Sequence, residues 1–200
     1  MTDFDARART WDDDPQKAVR ARRVADAIAQ RVPGLSRMTV LEYGSGTGLL
    51  GFALRGRAAS LTLADSSAEM TAVAREKIAA LGAADVSAVR LDLTRDATYA
   101  ARHDVVCTLM TLHHVPDVPA LLRRFHGLVA AGGYVAVADL DAEDGSFHGG
   151  GFHGHHGFPR EEIAAWLRDA GFRDVELQTV FEVEKGGRTY PVFLATGRRD

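Results

Sequence analysis

Three glycines at alternate positions, Gly44, Gly46 and Gly48, stand in the run LEYGSGTGLLGF directly after a short apolar stretch. Carboxylates close the next two apolar stretches, at Asp65 and Asp92. Glycines at this spacing let the backbone turn sharply and approach a ligand with no Cβ in the way, at the start of a helix whose first N–H groups are free. A carboxylate at Asp65 can accept both hydroxyls of a ribose, and one at Asp92 is placed to meet an adenine amino group. Glu42, just before the glycines, suits the ammonium of an amino-acid ligand. Together these residues describe a nucleotide cradle. The loop by itself does not say which nucleotide, because Gly46-Thr47-Gly48-Leu49-Leu50-Gly51 also satisfies the dinucleotide fingerprint, with Asp65 about 20 residues on. A dinucleotide-dependent oxidoreductase therefore stays open as a second reading.

The second chemical feature is histidine. His113 and His114 follow a fourth apolar run, and His148, His153, His155 and His156 crowd into SFHGGGFHGHHGF. Imidazole titrates near neutrality, so a histidine on the rim of a ligand cleft is a candidate general base. His114, His148, His155 and His156 are the catalytic candidates, with His113 the weaker one of its pair. Dense histidines hold a metal only if the loop folds them around one centre, and neither a cysteine nor an i, i+4 helical spacing enforces that here. A metal at the histidine loop, or a non-enzymatic cofactor- or metal-sensing module built on it, is not favoured, and no metal ligands are assigned.

Groups of this kind must be carried at strand ends. Pro15 opens a leading helix to about Val32, stopped by Pro33-Gly34. Met38 to Tyr43 reads as a strand and Leu49 to Arg57 as a helix. Ser60 to Ala64 is a second strand ending at Asp65, and Ser66 or Ser67 caps a helix running to Leu81. Val86 to Leu91 and the nearly all-apolar His103 to Met110 are further strands, the latter covered on both faces. Val118 to Val129 is helical, and Gly132-Gly133 turns the chain into a strand from Tyr134 to Leu140. Residues 141–158 change to Gly, His and Asp without a period and read as a long loop or lid. A helix from Glu161 to Ala170 precedes two strand-like runs, Val175 to Val183 and Tyr190 to Thr196, joined at Lys185-Gly186-Gly187-Arg188 as a hairpin. Alternating strands and helices imply an α/β, Rossmann-like three-layer sandwich. Its sheet is seven-stranded and mostly parallel, with a C-terminal antiparallel hairpin.

Two hundred residues with 46% hydrophobic content suit one sizeable core, so residues 1–200 are expected to form a single domain with residues 1–34 as an N-terminal arm and helix. A net charge of −3 with interspersed signs leaves no basic stripe for nucleic acid. The polar start and the absence of a long apolar run argue against a leader or membrane span, and the lone Cys107 suits a reducing cytoplasm. A monomer or homodimer acting on a small molecule is expected.

Three features separate the two cofactor readings: the leading helix, Glu42, and a terminal hairpin without any Tyr-x-x-x-Lys pair. With them, the sequence resembles the class I methyltransferases that use S-adenosyl-L-methionine (SAM), within the small single-domain group similar to the ubiquinone and menaquinone biosynthesis enzymes. LEYGSGTGLLGF resembles the first motif of that family, DSSAEM (residues 65–70) its second-strand acidic motif and LDL (91–93) its adenine motif. TLMTLHHVPD (108–117) and AAGGYVAVADL (130–140) resemble its fourth- and fifth-strand motifs. The resemblance implies that Glu42 and Gly44 serve the methionine end of SAM, with Gly46 and Gly48 in the same loop. Asp65 would hold the ribose with Ser66 or Met70 beside it, Asp92 would accept from the adenine amino group, and the Leu93 N–H would face the ring. It further implies that an aromatic residue of the arm, Trp11 in Trp11-Asp12, with Phe4-Asp5 upstream, folds over the cofactor. His114 matches a histidine frequent in the family motif. Metal-dependent catechol-type members carry an acidic ligand where this chain has Met110-Thr111, which counts against that mechanism.

Overall fold

The computed structural model describes residues 3–96 and 98–200. Seven strands form one sheet: β1 (Thr39–Tyr43), β2 (Ser60–Asp65), β3 (Val86–Arg90), β4 (His103–Leu109), β5 (Val129–Leu140), β6 (Arg173–Lys185) and β7 (Arg188–Arg198). Their order is β3-β2-β1-β4-β5-β7-β6. The first five pair in parallel, and β7 runs antiparallel between β5 and β6. The terminal hairpin therefore inserts its second arm next to β5 and leaves β6 at the edge.

Alternating side chains along the central strands feed two separate cores. Val105 and Cys107 of β4, Ala136 and Ala138 of β5, and Val192 and Leu194 of β7 enter one. Val106, Val135, Val137, Phe193 and Ala195 enter the other. A sheet apolar on both faces must be covered on both. Helices α2 (Pro15–Arg31), α3 (Leu49–Leu54) and α4 (Ala68–Ala80) cover the first face. Helices α5 (Val118–Leu128) and α6 (Arg160–Asp169) cover the second. The α2 stripe of Ala21, Val24, Ala25 and Ile28 is fully buried, and its start is set by Asp14, whose carboxylate accepts the Gln16 N–H ahead of Pro15.

Several features differ from the sequence reading. Helix α3 stops at Leu54 because Arg55 leaves helical geometry at ψ 134°. Strand β5 begins at Val129, which pairs with His103 before the register jumps so that Val105 meets Tyr134. The chain bulges there through Gly132 at φ +77°, and a Cβ on Gly133 would lie 2.3 Å from the Asp104 carbonyl oxygen. The acidic start carries elements of its own: α1 (Asp3–Arg7) and a 3₁₀ turn (Ala8–Asp13) precede α2.

Strands β1 and β4 are neighbours, yet their following crossovers cover opposite faces, so the order reverses between them. Ligands of open α/β sheets bind outside the carboxyl ends of strands at such a point. The residues there are Gly44 and Thr111, and they touch: a Cβ on Gly44 would lie 2.3 Å from Thr111 Cγ2.

Candidate functional site

Gly44, Gly46 and Gly48 all hold positive φ, at +68°, +54° and +88°, which excludes ordinary side chains from the loop after β1. The loop is tied to the neighbouring strand at both levels. Ser45 N–H donates to the Ala64 carbonyl at 3.0 Å, and Gly46 N–H donates to Asp65 Oδ2 at 2.7 Å. Asp65 Oδ1 accepts the Ser67 N–H at 2.8 Å, so the carboxylate at the end of β2 is locked in orientation. Burial raises its pKa, and the two backbone donors oppose that rise. Ser67, not Ser66, is the helix cap: its Oγ accepts the Met70 N–H. Ser66 is exposed, with its carbonyl taken by Arg90, while Met70 is buried beside Gly46.

Glu42 is buried beneath the loop, where Oε2 accepts the Gly51 N–H at 2.8 Å. Loss of water pushes its pKa up to about 8, against the lowering by Gly51. The side chain thus fastens α3 to β1, a role the sequence did not reveal. Asp92 lies at the end of β3 in a turn of its own, accepting the N–H and hydroxyl of Thr94. Leu93 N–H donates to the buried Tyr43 hydroxyl, whose pKa is raised by burial and then by Asp92.

The N-terminal arm crosses this cleft. Asp5 accepts the Ser67 hydroxyl at 2.5 Å, and Asp12 accepts from the Thr47 hydroxyl at 2.5 Å and from Lys77 Nζ at 2.7 Å. Trp11 Nε1 would stand 3.5 Å from a Cβ on Gly46, with Lys17 Nζ 3.6 Å from the Trp11 ring centroid. The exposed Asp12–Lys77 ion pair is worth roughly 1 kcal/mol or less, while the Asp5–Ser67 and Asp12–Thr47 bonds are part-buried against the body of the fold.

At the ends of β4 and β5 a second group assembles. A 3₁₀ turn (Leu112–His114) carries His113, 2% exposed, whose Nδ1 lies 2.6 Å from Oδ1 of the fully buried Asp139. Oδ2 of the same carboxylate faces the His113 N–H at 3.4 Å. His148 swings in from the 141–158 loop, stacked on Phe152 at 3.8 Å, with its ring 4.9 Å from His113 and 5.9 Å from His114. Burial first, and then neighbouring imidazoles, push His114 and His148 down to about 4, so both are neutral at neutral pH. The Phe4 ring meets His114 at 5.0 Å and Trp11 at 6.0 Å, linking this cluster to the glycine loop.

His155 and His156 do not join it. His155 N–H donates to the His113 carbonyl, and its Nε2 lies 3.0 Å from the Val115 carbonyl oxygen. His156 Nδ1 lies 3.4 Å from Glu143. Both serve the fold of the loop, which corrects their expected catalytic placement. The loop is likewise no loose flap. The Ser146 and Tyr190 hydroxyls bond at 2.7 Å, Arg160 grips Asp141 with two bonds at 2.7 Å, and Arg188 reaches Asp144 at 2.6 Å. His113, the weaker candidate from sequence, is the best-positioned imidazole, because its orienting carboxylate lies 26 residues away.

Residues 16–177 match the model of the methyltransferase domain family. The chain belongs to that family. The strand order and the glycine loop agree with class I SAM-dependent methyltransferases, and the oxidoreductase reading falls away. Among curated methyltransferases, the chain is 31% identical to a ubiquinone biosynthesis O-methyltransferase of Pseudomonas paraeruginosa over 69% of this chain and 66% of that protein. It is 32% identical to the enzyme of the same name from Xylella fastidiosa over 80% of this chain and 72% of that protein. Magnesium protoporphyrin IX methyltransferase from Synechocystis PCC 6803, solved with bound SAM, shares the methyltransferase fold at a TM-score of 0.68 and 18% identity, over 91% of this chain and 81% of its own. Among the described residues, no helix is long and apolar enough to cross a membrane.

Proposed function

We propose that this methyltransferase transfers the methyl group of SAM to a nucleophile on a small molecule seated beside His113, His114 and His148. One observation carries the reading: the glycine loop, Asp65 and the histidine cluster meet at the single point where the strand order reverses, with the arm across them. SAM, when bound, supplies a methyl group already activated on a sulfonium. The protein's part in an in-line displacement is alignment and exclusion of water.

The residues present fit that cofactor. Asp65 offers a fixed carboxylate for ribose hydroxyls, Gly46 faces the Trp11 ring across the cleft, and Asp92 stands at the adenine end, while the Leu93 N–H expected to face the ring is taken instead by the Tyr43 hydroxyl. Trp11 and Phe4 roof the cleft, and Glu42 acts from below by holding the loop. On the acceptor side, Asp139 fixes the His113 ring beside His114 and His148, at the rim where an ionisable acceptor would sit. The names of the curated relatives support an oxygen acceptor, and the lone buried thiol of Cys107 suits a cytoplasmic setting.

Calorimetry with SAM and S-adenosylhomocysteine, followed by a mass-spectrometric methylation screen across phenols, thiols, amines and carboxylates, tests the proposal. Binding of both nucleosides and methylation of one acceptor class are expected. Failure to bind either nucleoside overturns it.

A further inference from the structure

The histidine cluster has the makings of a metal centre. One nitrogen from each of His113, His114 and His148 can be chosen so that all three lie within 4.8 Å of one another. His113 spends Nδ1 on Asp139, which leaves Nε2 as the ring's free lone pair. A carboxylate behind an imidazole is the usual support of a metal-ligating histidine, because it fixes the tautomer and raises the basicity of the other nitrogen. His148 Nδ1 is buried without a hydrogen-bond partner, a cost that a ligand would remove.

We propose that His113, His114 and His148 bind one divalent transition-metal ion of the zinc type, leaving an open coordination position for the methyl acceptor. Three neutral imidazoles around a site with a free position form the donor set of catalytic rather than structural zinc, whose fourth ligand is water or substrate. Tetrahedral ligation at about 2.0–2.1 Å brings ligand nitrogens to roughly 3.3 Å apart. Closing from the present spacing needs ring movements on the order of 1–2 Å. Gly145, Gly149 and Gly151 around His148 all sit at positive φ, backbone conformations that few other residues reach. His113 and His114 are held from behind by the 3₁₀ turn and Asp139, so the loop closes on a preformed pair.

The chemistry rests on the methyl-transfer reading above. A hydroxyl or thiol acceptor coordinated to the ion releases its proton to solvent. Its electron pair then forms the bond to the methyl carbon, while the methyl–sulfonium bond breaks with its pair retained on sulfur, giving neutral S-adenosylhomocysteine. The Phe4 ring that meets His114 also meets Trp11 over the glycine loop, so the cluster adjoins the cofactor cleft.

Untagged full-length protein is stripped with chelator, dialysed against Zn²⁺ or Co²⁺, and assayed by elemental analysis and by the visible d–d bands of Co²⁺. S-adenosylhomocysteine calorimetry is run on the same samples. One equivalent of metal and tetrahedral-type cobalt bands are expected. His114→Gln and His148→Gln should each weaken metal affinity at least about 10-fold, and Asp139→Asn about 10- to 100-fold. His153→Gln, on an exposed residue, should change nothing. Wild-type protein that binds S-adenosylhomocysteine but takes up no stoichiometric metal overturns the metal site alone. Metal uptake unaffected by His114→Gln and His148→Gln overturns it as well. Protein that takes up metal but not S-adenosylhomocysteine overturns instead the methyl-transfer reading.

Discussion

Asp139 at the end of β5 and His113 in the turn after β4 are joined by a 2.6 Å contact between Oδ1 and Nδ1, with neither side chain more than 2% exposed. Because the pair is buried, its geometry is held by packing on all sides. Asp139 also accepts the Leu140 N–H, so the carboxylate is itself fixed before it orients the ring.

Asp139→Asn should therefore act on the acceptor half of the reaction. Turnover is expected to fall about 100-fold, in the range of a lost general base or metal support, while the S-adenosylhomocysteine dissociation constant changes less than about 3-fold, within roughly 0.7 kcal/mol. Equal losses in both quantities would show instead a general loosening of the fold.

Asp65→Ala should act on the other half. It removes the carboxylate that Gly46 and Ser67 orient, and with it charge-assisted bonds worth about 1.5–3 kcal/mol, or a 10- to 100-fold weaker SAM affinity by calorimetry. An unchanged affinity would remove Asp65 from the cofactor site.

Glu42 makes stability depend on pH in an unusual direction. Its folded pKa, about 8, lies above the unfolded value of 4.5. Between these values the folded state holds the extra proton, so stability falls as pH rises, by at most about 1.4 kcal/mol per unit. Glu42→Gln keeps an acceptor for the Gly51 N–H and removes the titration. Urea unfolding between pH 5 and pH 8 (a window lying roughly between the two values) should show a flatter slope for the variant. Parallel slopes would show that the carboxylate keeps its charge in the fold.

Trp11 is one of two tryptophans. With Trp166→Phe as background, its emission should shift or quench on addition of S-adenosylhomocysteine, and Trp11→Ala should weaken binding of that nucleoside several-fold. A silent Trp11 with unaltered affinity would place the arm off the cofactor.

Gly44→Ala combines a φ of +68° with a Cβ 2.3 Å from Thr111. A loss on the order of 2–3 kcal/mol in unfolding free energy is expected from strain and overpacking together. A loss under about 0.5 kcal/mol would show that the two strand ends can part freely.

Much of this molecule could be read along the chain. Apolar runs ending in glycine or aspartate marked the parallel strands, and the loop at 44–48 with Asp65 marked the ends of β1 and β2, because those signals are local: a positive-φ turn needs glycine wherever it occurs. Ser67 as a cap and the bulge at Gly132-Gly133 were partly legible for the same reason. Long-range pairings were not. Histidine spacing in SFHGGGFHGHHGF placed His155 and His156 in the chemistry, but the loop's path turns them to the Val115 carbonyl and Glu143. His113 looked ordinary until β4 and β5 brought Asp139 against it. Glu42 looked like a ligand for an ammonium, and nothing along the chain showed that its carboxylate would also take the Gly51 N–H of α3. The sequence by itself determined the strand–helix alternation and the glycine cradle, since backbone conformation and burial pattern act between near neighbours. Which imidazoles share one centre, and which carboxylate stands behind them, only the tertiary structure decided, because packing across the sheet sets those distances.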